Sequence, residues 1–253
     1  MCPDSKVIDT FFNTLTTVAG HHRIADNPEP LQKEIIQFRM PGSKSKVYLA
    51  EYDANQLYYI QYSNRGEKFD LNSVPANTLY NEYFGGGMNA IVFQEMREAR
   101  GLAYTAQAYL GTPSSLDESY TYIAFIATQN DKMQQAIEAF EEIINDMPVS
   151  QPGFDIAKKA VISRLRTYRV TGDGVLWDYR RSRELGLTEP MEKIMFEKIQ
   201  NMTLDDVIAT QQKWVKGRTY DFAILGRTKD LDINYLKTLG DVERVSSEDM
   251  FGY

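Results

Sequence analysis

Arg97 and Tyr104 are the pair whose types and spacing suit chemistry on a carbonyl group. They lie in the segment GGGMNAIVFQEMREARGLAY, residues 85–104. Gly85, Gly86 and Gly87 permit a tight helix-to-helix turn, because glycine tolerates positive φ. Met88, Val92, Met96 and Ala99 then space as one apolar stripe of a helix. Arg97 falls off that stripe, one turn beyond Phe93. Gly101 stops the helix, and Tyr104 enters the strand that follows. A guanidinium and a phenol O–H at the rim of such a reversal are two donors suited to an oxygen gaining negative charge. Spacing alone is met equally by a solvated arginine and a half-buried strand tyrosine, the commoner case for polar surface residues.

The same segment resembles the signature of the pitrilysin/insulinase-type zinc metallopeptidases, which carry an inverted His-x-x-Glu-His motif in their active half. The resemblance runs in order through Gly85-Gly86-Gly87, Asn89-Ala90, Val92-Phe93, Glu95-Met96-Arg97-Glu98 and Gly101-Leu102-Ala103-Tyr104. That many fixed offsets are far more specific than a lone glycine motif. A weaker likeness in element order extends from Lys46 to Trp214. Ile91 departs from the pattern, which often has arginine there.

The resemblance implies the non-zinc-binding, C-terminal-type half of such an enzyme. It implies that Arg97 and Tyr104 meet the peptide near its scissile carbonyl and help to stabilise the tetrahedral intermediate. Phe93, Gly85, Gly86 and Gly87 would line the substrate beside them. The implied partners are a zinc-bearing half-domain or subunit of the same family and a peptide substrate enclosed between the halves. A dimer is an allowed assembly. Zinc is expected in the partner half, and no cofactor or metal ligand set in this chain.

Metal chemistry in the chain itself has little to stand on. Its two histidines, His21 and His22, are adjacent. Neighbouring residues on a helix point about 100° apart, so the two cannot converge on one ion without a loop. Zinc sites need three or four convergent ligands. Lys158, Lys159, Arg164, Arg166, Arg169, Arg180, Arg181 and Arg183 form a basic stretch. It reads as a solvated helix face more readily than as a wall attracting acidic peptides. No nucleophile elbow, P-loop or dinucleotide fingerprint is present, and no carboxylate pair stands out as an acid/base couple.

The elements that must position these residues read as follows. Val7, Ile8, Phe11, Phe12, Leu15 and Val18 recur at helical spacing, giving an N-terminal helix and lead-in over 1–25. Pro28 and Pro30 mark an extended linker over 26–41. The remaining 42–253 would form the peptidase-family domain. Strands are expected at 46–50 and 57–62 around the Asp53-Ala54-Asn55 turn, and at 103–110 and 120–128. Helices are expected at 71–83, from Met88 to before Gly101, and at 132–146, 153–169, 174–185, 190–200 and 204–215. Thr203 and Asp206 resemble a capping box for the last of these. A strand at 219–225, a short helix at 231–239 and a strand at 242–245 close the chain. The pattern implies an α+β two-layer sandwich: a mostly antiparallel sheet of about six strands with helices on one face. No internal repeat or low-complexity tract appears.

Composition narrows the function classes. The 253 residues are 43% hydrophobic and 25% charged, as in ordinary globular domains. A net charge of −7 disfavours nucleic acid and anionic membrane surfaces as partners. No apolar run approaches the roughly 20 residues that span a bilayer. The single cysteine, Cys2, excludes an intrachain disulfide. Met1-Cys2-Pro3-Asp4 lacks the features of a signal peptide. A fragment of an exported bacterial, and then periplasmic, peptidase would look the same, so localisation stays open. Two alternatives accompany the peptidase half: a structural family member without peptidase activity, and a free-standing module that binds peptides or partners.

Overall fold

The computed structural model describes residues 44–172 and 174–251. The N-terminal helix, the proline linker and His21-His22 lie outside the described residues.

Six strands form one mixed sheet: β1 (Lys46–Glu51), β2 (Gln56–Lys68), β3 (Thr105–Gly111), β4 (Ser119–Gln129), β5 (Asp221–Gly226) and β6 (Asp241–Arg244). Their order is β3-β4-β2-β5-β1-β6. β4 pairs antiparallel with both β3 and β2, and β2 pairs antiparallel with β5. β1 runs parallel to β5 and β6. β1 and β2 are therefore not hairpin partners, although only four residues join them. β5 inserts between them, with Val47 opposite Phe222 and Tyr58 opposite Leu225. β5 is the natural interior strand, since Phe222 and Ile224 are both buried. Turn chemistry at 53–55 reports a reversal but not which strand will fill the gap.

Strand side chains alternate between two faces. Val47, Leu49, Leu57, Tyr59, Ala106, Leu110, Tyr120, Tyr122, Ile126 and Ile224 are buried on one of them. Helices supply the other half of this core: α1 (Val74–Phe84), α2 (Ile91–Phe93, continued by a π-helical stretch Gln94–Ala99), α3 (Met133–Asn145), α4 (Gln151–Thr167), α6 (Met191–Ile199), α7 (Leu204–Trp214) and α8 (Ile233–Leu239), whereas α5 (Gly174–Glu184) buries no side chain and the described side chains of α9 (Ser247–Phe251) are exposed. The two-layer α+β arrangement is the expected one. The opposite sheet face stays partly open, with Tyr58, Ile60 and Phe125 half-buried and Tyr109 and Ile123 exposed.

Helix starts follow from their first residues. Pro75 lies in the first turn of α1, where its missing N–H costs nothing. Ser150 caps α4 by accepting from the Gly153 N–H at 3.1 Å. Asp206 accepts from the Thr203 N–H at 2.7 Å, completing the expected capping box of α7. Buried polar groups tie the helical layer together. The Tyr83 hydroxyl donates to the Pro148 carbonyl at 3.1 Å and accepts from the Ser150 N–H at 2.9 Å. Gln211 links the Tyr80 hydroxyl to the Ile144 carbonyl. No described helix is long and apolar enough to cross a membrane.

Candidate functional site

The site is built on α2 and the reversal into β3. Ile91, Val92 and Met96 are buried and seat α2 on the core. Two members of the expected stripe are not part of this contact. Met88 precedes the helix and is 74% exposed, and Ala99 faces solvent. For Ala99 the cause is the π-helical stretch, in which the Arg100 N–H reaches back five residues to the Glu95 carbonyl at 3.2 Å. The wider turn carries Ala99 out of line with Val92 and Met96. Such turns recur at functional sites.

Gly101 then takes φ +58°, the left-handed conformation that ends a helix. The Met96 carbonyl accepts from the N–H groups of Leu102 and Ala103, at 2.9 and 3.2 Å. The Thr128 hydroxyl donates to the Leu102 carbonyl at 2.6 Å. The Tyr104 N–H donates to the Ala127 carbonyl at 2.9 Å, fixing Tyr104 at the start of the edge strand β3. Arg100 braces the other side, donating to both carboxylate oxygens of Glu142 on α3 at 2.8 and 3.3 Å.

This frame brings Phe93, Arg97 and Tyr104 together. The Arg97 guanidinium carbon lies 5.0 Å from the Phe93 ring centroid and 5.3 Å from that of Tyr104. Two aromatic faces thus hold one cation. Its ion contact is loose, with Nε 3.7 Å from the Glu98 carboxylate. Tyr104 is 67% exposed. The guanidinium keeps donors directed to solvent beside a phenol O–H, an arrangement able to hydrogen-bond a carbonyl oxygen and its oxyanion.

The glycine run serves a different end from the one its composition suggests. None of Gly85, Gly86 and Gly87 has positive φ. A Cβ on Gly85 would meet the Ala108 carbonyl oxygen at 2.0 Å, so glycine is needed there for close approach. Its backbone packs directly on β3, beside Asn81, whose amide bonds both the N–H and the C=O of Leu110 at 2.8 and 2.9 Å. Gly85 and Gly86 line a cleft of about 500 Å³ along this edge, with Glu82, Arg164 and Arg181. Gly87 has nothing within 4 Å of a Cβ.

The basic stretch is largely satisfied within the fold. Lys158 donates to the Gln200 and Met202 carbonyls at 3.0 and 2.7 Å. Arg164 pairs with Glu82 at 2.8 Å and Arg180 with Glu184 at 2.7 Å. Arg166 lies over the Phe196 ring. Among the described residues no three His, Cys, Asp or Glu side chains gather as a metal site. These residues do not fit zinc.

The open sheet face went unread in the sequence. Its signal is LYYIQY at 57–62, apolar or aromatic on both phases of the strand alternation except at Gln61, as in strands covered on two sides.

A family model described as the peptidase M16 inactive domain matches residues 6–159, more than half of the chain. An uncharacterized zinc protease of Rickettsia felis is 28% identical over 222 residues, covering 79% of this chain and 50% of that protein. The chain thus spans about half the length of the curated relative it matches. The crystal structure of a peptidase M16 inactive domain from Pseudomonas fluorescens aligns with TM-score 0.57 at 17% identity, over 75% of this chain and 45% of that one. A conserved protein from Enterococcus faecalis aligns with TM-score 0.65 at 13% identity, over 84% of this chain and 49% of that one. At such identities the solved structures share the fold. With the Gly85–Tyr104 segment and the family model in agreement, the chain belongs to the peptidase M16 family and corresponds to its inactive domain.

Proposed function

We propose that this chain is the substrate-binding, non-catalytic half of a zinc metallopeptidase and supplies Arg97 and Tyr104 to the scissile region of a bound peptide. The observation that carries this reading is the stacked Phe93–Arg97–Tyr104 group, exposed at one end of the edge strand. A cation held between two rings is oriented before substrate arrives, so less freedom is lost on binding. Zinc belongs to the other half of the enzyme, as a domain or subunit of the same family. Peptide is enclosed where the halves face each other. As the scissile carbonyl carbon becomes tetrahedral, its oxygen gains charge. Arg97 and the Tyr104 hydroxyl donate to that oxygen more strongly than to the ground-state carbonyl. Phe93, with its ring centroid 5.0 Å away, helps to keep the guanidinium in place.

The test is turnover of a short fluorogenic peptide by the chain reconstituted with its zinc-bearing half. Arg97→Ala should cut turnover strongly while circular dichroism and melting stay near wild type. Unchanged turnover with a large loss of melting temperature would make Arg97 a structural residue.

A further inference from the structure

The middle of the open face of the sheet carries no charged side chain. Along β3, β4, β2, β5 and β1 the residues of the open phase include Gln107 and Tyr109, Ile123 and Phe125, Tyr58 and Ile60, Leu225, and Tyr48. The charged residues of this phase on those strands lie at its margins: Asp221, buried at the end of β5 and bonded to the Lys46 N–H at 2.9 Å, Lys68 at the end of β2, and Lys46 at the start of β1, paired with Glu243 of β6 at 3.2 Å. The side chains form one continuous aromatic and aliphatic surface. The Tyr58 ring stacks on Phe125 at 5.6 Å and lies 5.8 Å from Tyr52 on the neighbouring side. Tyr109 and Ile123, at 55% and 36% exposure, carry the surface to the sheet edge that begins at Tyr104. Contiguous exposed apolar patches of this kind mark binding surfaces.

Size and charge select the occupant. Strands about 4.8 Å apart rise about 3.3 Å per residue, so five strands over five residues cover roughly 400 Å². Stable protein–protein interfaces bury about 800 Å² on each partner, twice that. An extended segment of five or six peptide residues fits the area. With no charged side chain in its middle, the surface offers nothing to a lysine or glutamate and strips its water.

We infer that this sheet face binds the apolar and aromatic side chains of an extended substrate peptide, and so makes the enclosed space selective for uncharged segments. The inference rests on the reading of this chain as a substrate-binding half, but not on the roles given to Arg97 and Tyr104.

The probe is a fluorescently labelled, acetylated and amidated nonapeptide of Leu, Phe, Ser and Gly. Its match has Glu in place of each Leu and Phe. Anisotropy with the full chain should show the apolar peptide binding at least about tenfold more tightly. Ile123→Lys and Tyr109→Lys change exposed positions and should preserve the circular dichroism spectrum. Each should weaken the apolar peptide about tenfold and narrow or reverse the preference. Equal binding of the two peptides, no binding of either, or variants that bind like wild type would overturn the inference. So would a concentration-dependent dimer in sedimentation that Ile123→Lys abolishes, since a second copy would then be the occupant. Loss of association with the zinc-bearing half in Ile123→Lys would overturn it too. Arg97→Ala serves as the separate control. If it keeps full turnover while Ile123→Lys still loses the apolar peptide, the oxyanion role falls and this assignment stands.

Discussion

The Arg97 guanidinium lies 5.3 Å from the Tyr104 ring although a helix end and a left-handed glycine separate the two residues in sequence. The Met96 carbonyl, holding two successive N–H groups, folds the chain back so that they meet. Arg97 should therefore contribute little to stability. Exposed cation–π contacts are worth about 0.5–1 kcal/mol each, and Arg97 is removed from the core. Arg97→Ala should cost no more than about 1–2 kcal/mol in urea unfolding. A loss of 3 kcal/mol or more would show that the stack supports the fold.

Tyr104→Phe removes one O–H and almost no volume. With the zinc half present it should lower kcat by about 10²–10³ while KM changes little, because the donor acts on the developing oxyanion. Steady-state kinetics on a short peptide separate this from a positional hydrogen bond, which would raise KM and spare kcat. A wild-type kcat would return Tyr104 to the rank of an ordinary strand residue.

Gly85 and Gly87 should respond oppositely to alanine. At Gly85 the new Cβ would meet the carbonyl oxygen, carbon and nitrogen of Ala108 at 2.0–2.7 Å, all backbone. β3 and the end of α1 must move apart, at about 1–3 kcal/mol. At Gly87 the space is empty, and alanine should be neutral or slightly stabilising. Thermal melts of the two variants test the contrast, and equal effects would contradict the close packing of α1 on the edge strand.

Glu141 sits on α3, half-buried against the sheet, and accepts from the Gln61 side-chain amide at 2.8 Å. Burial lifts its carboxyl above the usual range, and the Gln61 hydrogen bond only partly counters this. The phenols of Tyr59, Tyr122, Tyr220 and Tyr235 are its titratable neighbours. The folded state therefore holds this proton more tightly than the unfolded chain. Its contribution to stability is fully present below the unfolded carboxylate range and is lost as pH rises through the folded value. Glu141→Gln should raise stability at pH 7.5 and change it little at pH 4. Denaturant unfolding at both values checks the sign, and a variant less stable at pH 7.5 would mean that the carboxylate is well solvated or paired.

The chain alone should hold no stoichiometric zinc. Elemental analysis after dialysis should find well under one zinc per chain, and added chelator should leave the melting temperature unchanged. One tightly held zinc would require a ligand set outside the described residues.

Local chemistry made much of this protein legible in sequence. The Thr203–Asp206 capping box of α7, the Gly101 stop and the Arg97/Tyr104 offset each depend on residues a few positions apart, and each appears where the sequence places it. The 85–104 segment also carried the family. Three features were decided only by contacts distant in sequence. β5 enters between β1 and β2 because burying Phe222 and Ile224 favours an interior place, and no turn residue encodes that. Gly85 is glycine because β3, more than twenty residues later, lies against its backbone. Ala99 leaves the apolar stripe because Met96 must sit on the core while its carbonyl holds the chain reversal, and a π-helical turn meets both demands. Periodicity assumes a uniform helix, whereas packing chose a wider turn at the point where Arg97 is presented.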